Sequence, residues 1–113
     1  MNHRERMLNA IRGRTTDTVA VAPYIYDVAA HLAGVPMQRF YTDGHAMADA
    51  QLMLHRLLQH DVIAVGCDNY YIAEGFGCGI QYEDDELPTL RQPAVQDLET
   101  LEQLQVPDPH RDG

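Results

Sequence analysis

The chain has 113 residues, a hydrophobic share of 45% and a formal charge of −9, from 17 acidic against 8 basic residues. That length suits one small domain, and the apolar share is enough for a core and speaks against general disorder. The acidic balance, with no lysine/arginine cluster, argues against a nucleic-acid or anionic-membrane partner, and no apolar run approaches the ~20 residues of a membrane span.

Residues 2–12 predict a helix: Asn2 is a capping residue, Glu5 stands at the capping-box position, Met7, Leu8 and Ile11 make one apolar stripe, and Gly13 supplies the stop. No signal-peptide core follows the N-terminus, so a reduced, cytoplasmic setting is expected. A polar connector leads to the apolar run Val19, Ala20, Val21, Ala22, read as a short strand ended by Pro23, which cannot donate to a ladder. Tyr24 and Tyr26 follow at its carboxyl end. Asp27 is expected to cap a short helix through Leu32, stopped by Gly34 and Pro36, and 37–41 to add another helical turn. Thr42, Asp43 and Gly44 then open the strongest helix, 44–60. Met47, Ala50, Leu54, Leu57 and Leu58 fall on one face of it, with Asp49, Gln51, Arg56 and Gln59 opposite.

Residues 62–66, Val-Ile-Ala-Val-Gly, form an apolar, β-branched run of the kind that makes a buried strand. The order helix, strand, helices, strand favours parallel strands joined by a right-handed crossover. Residues 70–76 are open between a short helix and an irregular loop. Residues 79–83 and 88–91 flank the acidic turn Asp84, Asp85, Glu86 and can pair as a hairpin. Asp97 is expected to cap a last helix, 98–104, before an extended end and a frayed tail at 110–113. Two strands cannot close a parallel barrel, which takes about 250 residues, and a two-stranded pair is too little sheet to stand alone. The pattern is that of the opening of a larger α/β domain, so 1–113 is read as a single partial domain.

The candidate chemistry centres on Asp68. Ligands in parallel α/β architectures gather at the carboxyl ends of strands, and Asp68 follows the 62–66 run directly. Two readings stand open for it: a functional carboxylate, or an Asx-turn and cap ahead of 70–76, which aspartate forms commonly. Tyr24, Tyr26, Tyr70 and Tyr71 lie just after the two strands and can wall a flat-ligand pocket, with Asn69 beside them as a further candidate binding residue, although core packing accounts for the rings equally well. The six histidines are scattered, without the i, i+4 spacing of a helical zinc site. Cys67 reads as a small buried residue near the strand end; neither it nor Cys78 has a Cys-x-x-Cys partner or a cationic neighbour in sequence to activate it. The Gly75–Gly79 stretch lacks the Gly-Lys-Ser/Thr ending of a phosphate loop.

Several stretches together resemble the uroporphyrinogen decarboxylase superfamily. They are the opening Met1–Gly13, with Met-Asn-x-Arg-Glu-Arg-Met-Leu-x-Ala-Ile-Arg-Gly; the strand end Val21, Ala22, Pro23; Phe40, Tyr41, Thr42, Asp43; Gly66, Cys67, Asp68, Asn69 leading to Glu74, Gly75, Phe76, Gly77; and the closing Leu-x-x-Leu-x-x-Leu-x-Val-Pro-Asp-Pro. The resemblance spans essentially the whole chain, and its specificity lies in the order of the motifs. It implies the fold class α/β, as the amino-terminal part of a (β/α)8 TIM barrel: about two barrel strands, their helices and a hairpin, incomplete as a barrel. It also implies a site at the strand carboxyl ends.

The family contains cofactor-free decarboxylases of uroporphyrinogen. It also contains zinc-dependent methyltransferases that move a methyl group from a methylated corrinoid to a thiol. The resemblance gives Asp68 the place of a carboxylate that holds pyrrole N–H groups through charge-assisted hydrogen bonds. The decarboxylases follow their first strand with Arg-Gln-Ala-Gly-Arg, a grip for substrate carboxylates. Here 24–31 read Tyr-Ile-Tyr-Asp-Val-Ala-Ala-His, with no bidentate clamp. That departure favours the methyltransferase-like branch, whose zinc ligands, a His-x-Cys pair and a later Cys, have no counterpart in this chain. The expectation is thus an inactive amino-terminal fragment that carries Asp68 as catalytic residue, with no cofactor of its own. Zinc and a tetrapyrrole or corrinoid-protein partner belong to the parent protein. The competing readings are a porphyrin-biosynthesis decarboxylase and a non-catalytic domain that self-associates or docks a complementing chain to cover its apolar runs.

Overall fold

The computed structural model describes residues 1–66 and 68–111. Cys67 lies outside the described residues, as do 112 and 113 at the end of the expected frayed tail. The elements in chain order are α1 (His3–Ile11), α2 (Tyr26–Ala33), α3 (Met37–Thr42), α4 (Gly44–Leu58), α5 (Tyr71–Gly75), β1 (Gly79–Gln81), β2 (Thr89–Gln92) and α6 (Leu98–Gln103).

Local chemistry sets most of the boundaries. The Asn2 side chain accepts the Glu5 N–H while Glu5 reaches back to the Asn2 N–H, the expected capping box. Asp43 caps α4 by accepting from the His45 and Ala46 N–H groups. Gln59, in the left-handed region at φ 51°, ends that helix. At α6 the cap is Asp97, with Thr100 as its reciprocal partner. One expectation fails at α2. Asp27 does not cap the helix; Ile25 stands at the N-cap without a side-chain bond, and Asp27 lies inside the first turn, where its charge suits the amino-terminal dipole.

The core is helical. Ala29 and Ala30 of α2, Phe40 of α3, and Ala50 and Leu54 of α4 bury together, with Ile25, Tyr26, Val35, Met37, Tyr41 and Met47 packed around them. Two alanines at the α2 contact let the helix axes approach closely and leave room for the Phe40 ring. That ring is fully buried and meets Tyr41 edge to face at 5.1 Å. The expected apolar face of α4 is shifted: Gln51, assigned to the polar side, is buried, while Leu57 and Leu58 are exposed.

Among the described residues the two apolar runs belong to no helix or strand and form no ladder. Among the described residues, strand pairing is confined to β1 and β2, antiparallel, with Ile80 opposite Leu90 and Gln81 opposite Thr89 and an irregularity between Gly79 and Ile80. The runs meet at one rung, where the Asp61 N–H donates to the Val21 carbonyl and the Val21 N–H to Asp61 Oδ2, each at 2.9 Å. Period and composition specify an extended, apolar backbone; a ladder needs flanking strands on which to pair. Without them Val19 is 85% and Val65 87% exposed. The radius of gyration, 18.0 Å, exceeds the ~13 Å of a compact domain of this length. The arrangement is thus that of barrel segments opened out, in keeping with an incomplete (β/α)8 barrel.

Candidate ligand site around Asp68

Asp68 follows the second apolar run, on the loop leading into α5, and is 9% exposed. Its Oδ1 accepts the Tyr70 N–H at 2.5 Å, an Asx-turn across two residues. Its Oδ2 accepts from the Tyr82 hydroxyl at 3.2 Å. The Asx-turn expected of Asp68 thus engages Oδ1, while Oδ2 faces a phenol.

Tyr82 lies immediately after β1, and its hydroxyl also stands 3.0 Å from Glu74 Oε2 on α5. Burial, followed by the hydrogen bond to Glu74, holds the phenol well above its ordinary pKa, so it stays neutral and a donor. The hairpin carrying it is tied to the helical core by the Met37 N–H, which donates to the Asp84 carbonyl at 2.9 Å. Loop, α5 and hairpin thus converge on two carboxylates bridged by one phenol.

The other expected residues are distributed unevenly. Tyr26, the first residue of α2, lies against Gly66, where an added Cβ would overlap the Tyr26 ring and hydroxyl. Tyr24 is 81% exposed and meets Tyr26 edge to face at 5.5 Å. The Tyr26 ring therefore stands beside Gly66, two residues ahead of Asp68. Tyr70 is half-buried and Asn69 exposed. Gln51 reaches Gly66 from α4, its Nε2 donating to the Gly66 carbonyl at 3.4 Å.

Sequence reasoning missed Tyr82, Glu74 and Gln51 as neighbours of the site. Tyr82 and Asp68 are 14 residues apart and joined only through the hairpin, so no local spacing signals the contact. Gln51 lies on the flank of α4 that periodicity assigns to solvent, so it gave no sign either.

On the opposite flank, Arg6 of α1 forms a hub. It donates from Nε to Asp17 Oδ1 at 2.7 Å and from Nη1 to Asp61 Oδ1 at 2.5 Å, while His3 Nδ1 lies 2.9 Å from the same Asp61 oxygen. The Val21 N–H first, and His3 second, hold the Asp61 carboxyl down at about 2. This network ties α1 to the segments that open both apolar runs and explains the arginine and aspartate there as architecture.

A family model described as uroporphyrinogen decarboxylase (URO-D) matches residues 2–113. The chain belongs to the URO-D family. No curated protein sequence matches it. Among solved structures it is similar to a methyltransferase from Methanosarcina mazei, with a TM-score of 0.70 and 23% identity over 88% of this chain and 31% of that one. The chain thus spans about a third of that structure's length, and the likeness concerns the fold. A (β/α)8 barrel places its sites at the carboxyl ends of its strands. Among the described residues no group of three or more His, Cys, Asp or Glu can hold a metal ion, and no helix is long and apolar enough to cross a membrane.

Proposed function

We propose that this chain forms the opening part of a URO-D-family methyltransferase and that Asp68 receives N–H groups of the methyl donor, a methylated corrinoid. The observation that carries the reading is the chemistry of the wall around Asp68. Glu74 stands beside Asp68 through Tyr82, the Tyr26 ring lies against Gly66 two residues ahead of Asp68, and the 24–31 stretch holds no arginine. A polyanionic porphyrinogen would meet carboxylates and phenols there, with no guanidinium to grip its acid groups. A corrinoid presents carboxamide N–H groups at its rim, which suit a buried, acceptor-only carboxylate. The fold likeness to a methyltransferase supports the same branch.

In such a reaction the thiolate sulfur bonds to the methyl carbon as the cobalt–carbon bond breaks, with its electron pair remaining on cobalt. The residues of this chain serve that step by binding and orientation. Asp68 holds an amide of the donor, and the Tyr24–Tyr26 pair supplies an apolar wall. Among the described residues no side-chain group makes a zinc site, and activation of the thiol is assigned to none of them.

The test is a parallel assay on the protein encoded by the native reading frame. Methylcobalamin with 2-mercaptoethanesulfonate is followed by the cob(I)alamin spectrum, and uroporphyrinogen by chromatography of its products. Methyl transfer without decarboxylation is expected. Formation of coproporphyrinogen without methyl transfer would overturn the reading.

A further inference from the structure

We propose that Tyr82 is a positioning residue whose single hydroxyl proton has two alternative acceptors, Asp68 and Glu74, and swings to Glu74 when a ligand N–H takes its place on Asp68. The inference rests on the reading of Asp68 as the ligand carboxylate and says how that carboxylate is kept ready.

One proton serves two acceptors. Asp68 Oδ2 and Glu74 Oε2 lie 3.2 and 3.0 Å from the Tyr82 oxygen, and a phenol has one proton to donate. The two acceptors are not equivalent. Asp68 is buried, and a buried oxygen left without a donor costs about 1–3 kcal/mol. Glu74 is exposed and has water available. Without ligand, the proton therefore belongs on Asp68, whose Oδ1 is already satisfied by the Tyr70 N–H.

A ligand N–H arriving at Oδ2 displaces the phenol. In most buried sites that exchange would strand the displaced hydroxyl and cancel the gain. Here a rotation about the Tyr82 Cζ–Oη bond hands the proton to Glu74, and no covalent bond changes. Each half of the exchange has a donor for every acceptor, so the site is satisfied both empty and filled. The neutral phenol, kept protonated by burial and by Glu74, is the form this requires. The hairpin fixes the oxygen in place, because Tyr82 directly follows the β1 pairing of Gln81 with Thr89.

The experiment has a ligand-free and a ligand-bound arm, both on the native-length protein. In the first, the 13Cζ resonance of Tyr82 is followed in tyrosine-labelled protein, with exposed Tyr24 as the reference. Glu74→Ala alone should leave Tyr82 hydrogen-bonded, because Asp68 still accepts. Glu74→Ala with Asp68→Asn should move the resonance to the exposed value, because an amide nitrogen then faces the phenol. Movement in the Glu74→Ala single variant would overturn the two-acceptor arrangement.

In the second arm, methylcobalamin binding is titrated. Glu74→Ala should weaken it roughly five- to tenfold, the worth of one hydrogen bond. Adding Tyr82→Phe should restore it, since no phenol then competes for Asp68. Unchanged binding in Glu74→Ala, or a further loss in the double variant, overturns the proposal. Failure of the wild-type protein to bind methylcobalamin counts instead against the methyltransferase reading, and the resonance arm then decides the proton exchange alone.

Discussion

Replacing Gly66 with alanine tests how closely the aromatic wall is seated beside Asp68. Gly66 is not among the glycines with positive φ, so the demand for glycine is one of space. An added Cβ would sit within 2.6 Å of the Tyr26 Oη and closer still to its ring, where carbon contacts settle at about 3.5–4.0 Å. The ring must therefore retreat by about 1 Å, and Tyr26 belongs to the helix that buries Ala29 and Ala30. Overpacking of this kind costs ~1–3 kcal/mol. Loss of glycine freedom in the unfolded chain returns ~0.4–1 kcal/mol. The net expectation is a destabilisation of about 1–2 kcal/mol, read as a fall of roughly 0.5–1 M in the urea midpoint by far-UV circular dichroism.

The partner experiment carries the weight. In a Tyr26→Leu background the collision is gone, so Gly66→Ala should be neutral or slightly stabilising, a coupling of about 1–3 kcal/mol between the two sites. An unchanged or raised midpoint for Gly66→Ala alone, or the same loss in both backgrounds, would refute the close seating of Tyr26 on Gly66.

Three further outcomes follow from the packing and the charges. Phe40→Ala should cost ~3–5 kcal/mol in a urea titration, because the ring is fully buried at the junction of α2, α3 and α4. Asp61→Asn should speed hydrogen exchange of the Val21 amide, whose acceptor is Asp61 Oδ2, while leaving the α4 amides protected. Acid should lower the protein's stability in two stages. Burial first, and the charge of His55 second, lower the His60 pKa from 6.5, so the unfolded chain takes up a proton that the folded one resists, and stability falls as pH drops below about 6.5. The facing groups are His55, 4.8 Å away between ring centroids, His3 and Asp61. The lower stage is Asp61, whose stabilisation is present above about pH 4 and lost as pH approaches 2. His60→Phe should remove the upper stage and keep the lower one.

What the sequence made legible was what short-range chemistry decides. Asn2 with Glu5, Asp43 ahead of α4, and Asp97 ahead of α6 each satisfy helix N–H groups within three residues. The hairpin follows from two extended stretches around an acidic turn. The combined motif order also carried the family, and with it the barrel. Less legible was whatever depends on distant partners. Val19 to Ala22 and 62–66 have the composition of strands, yet pairing belongs to neighbours rather than to composition. Gln51 sits on a flank of α4 that periodicity assigns to solvent, and it is buried because Gly66 passes over it. The neighbourhood of Asp68 is the sharpest case. Its turn to Tyr70 is local and was anticipated, whereas Tyr82 arrives through a hairpin 14 residues on.

The most direct measurement of the account is methyl transfer from methylcobalamin to 2-mercaptoethanesulfonate by the native-length Asp68→Asn variant beside wild type. Asparagine keeps an oxygen for the Tyr70 N–H, and so keeps the Asx-turn, but removes the charge and the acceptor that faces Tyr82 and the ligand. A loss of at least tenfold in kcat/KM with an unchanged urea midpoint is the predicted result. Full activity in that variant would contradict the assignment of Asp68 as the ligand carboxylate.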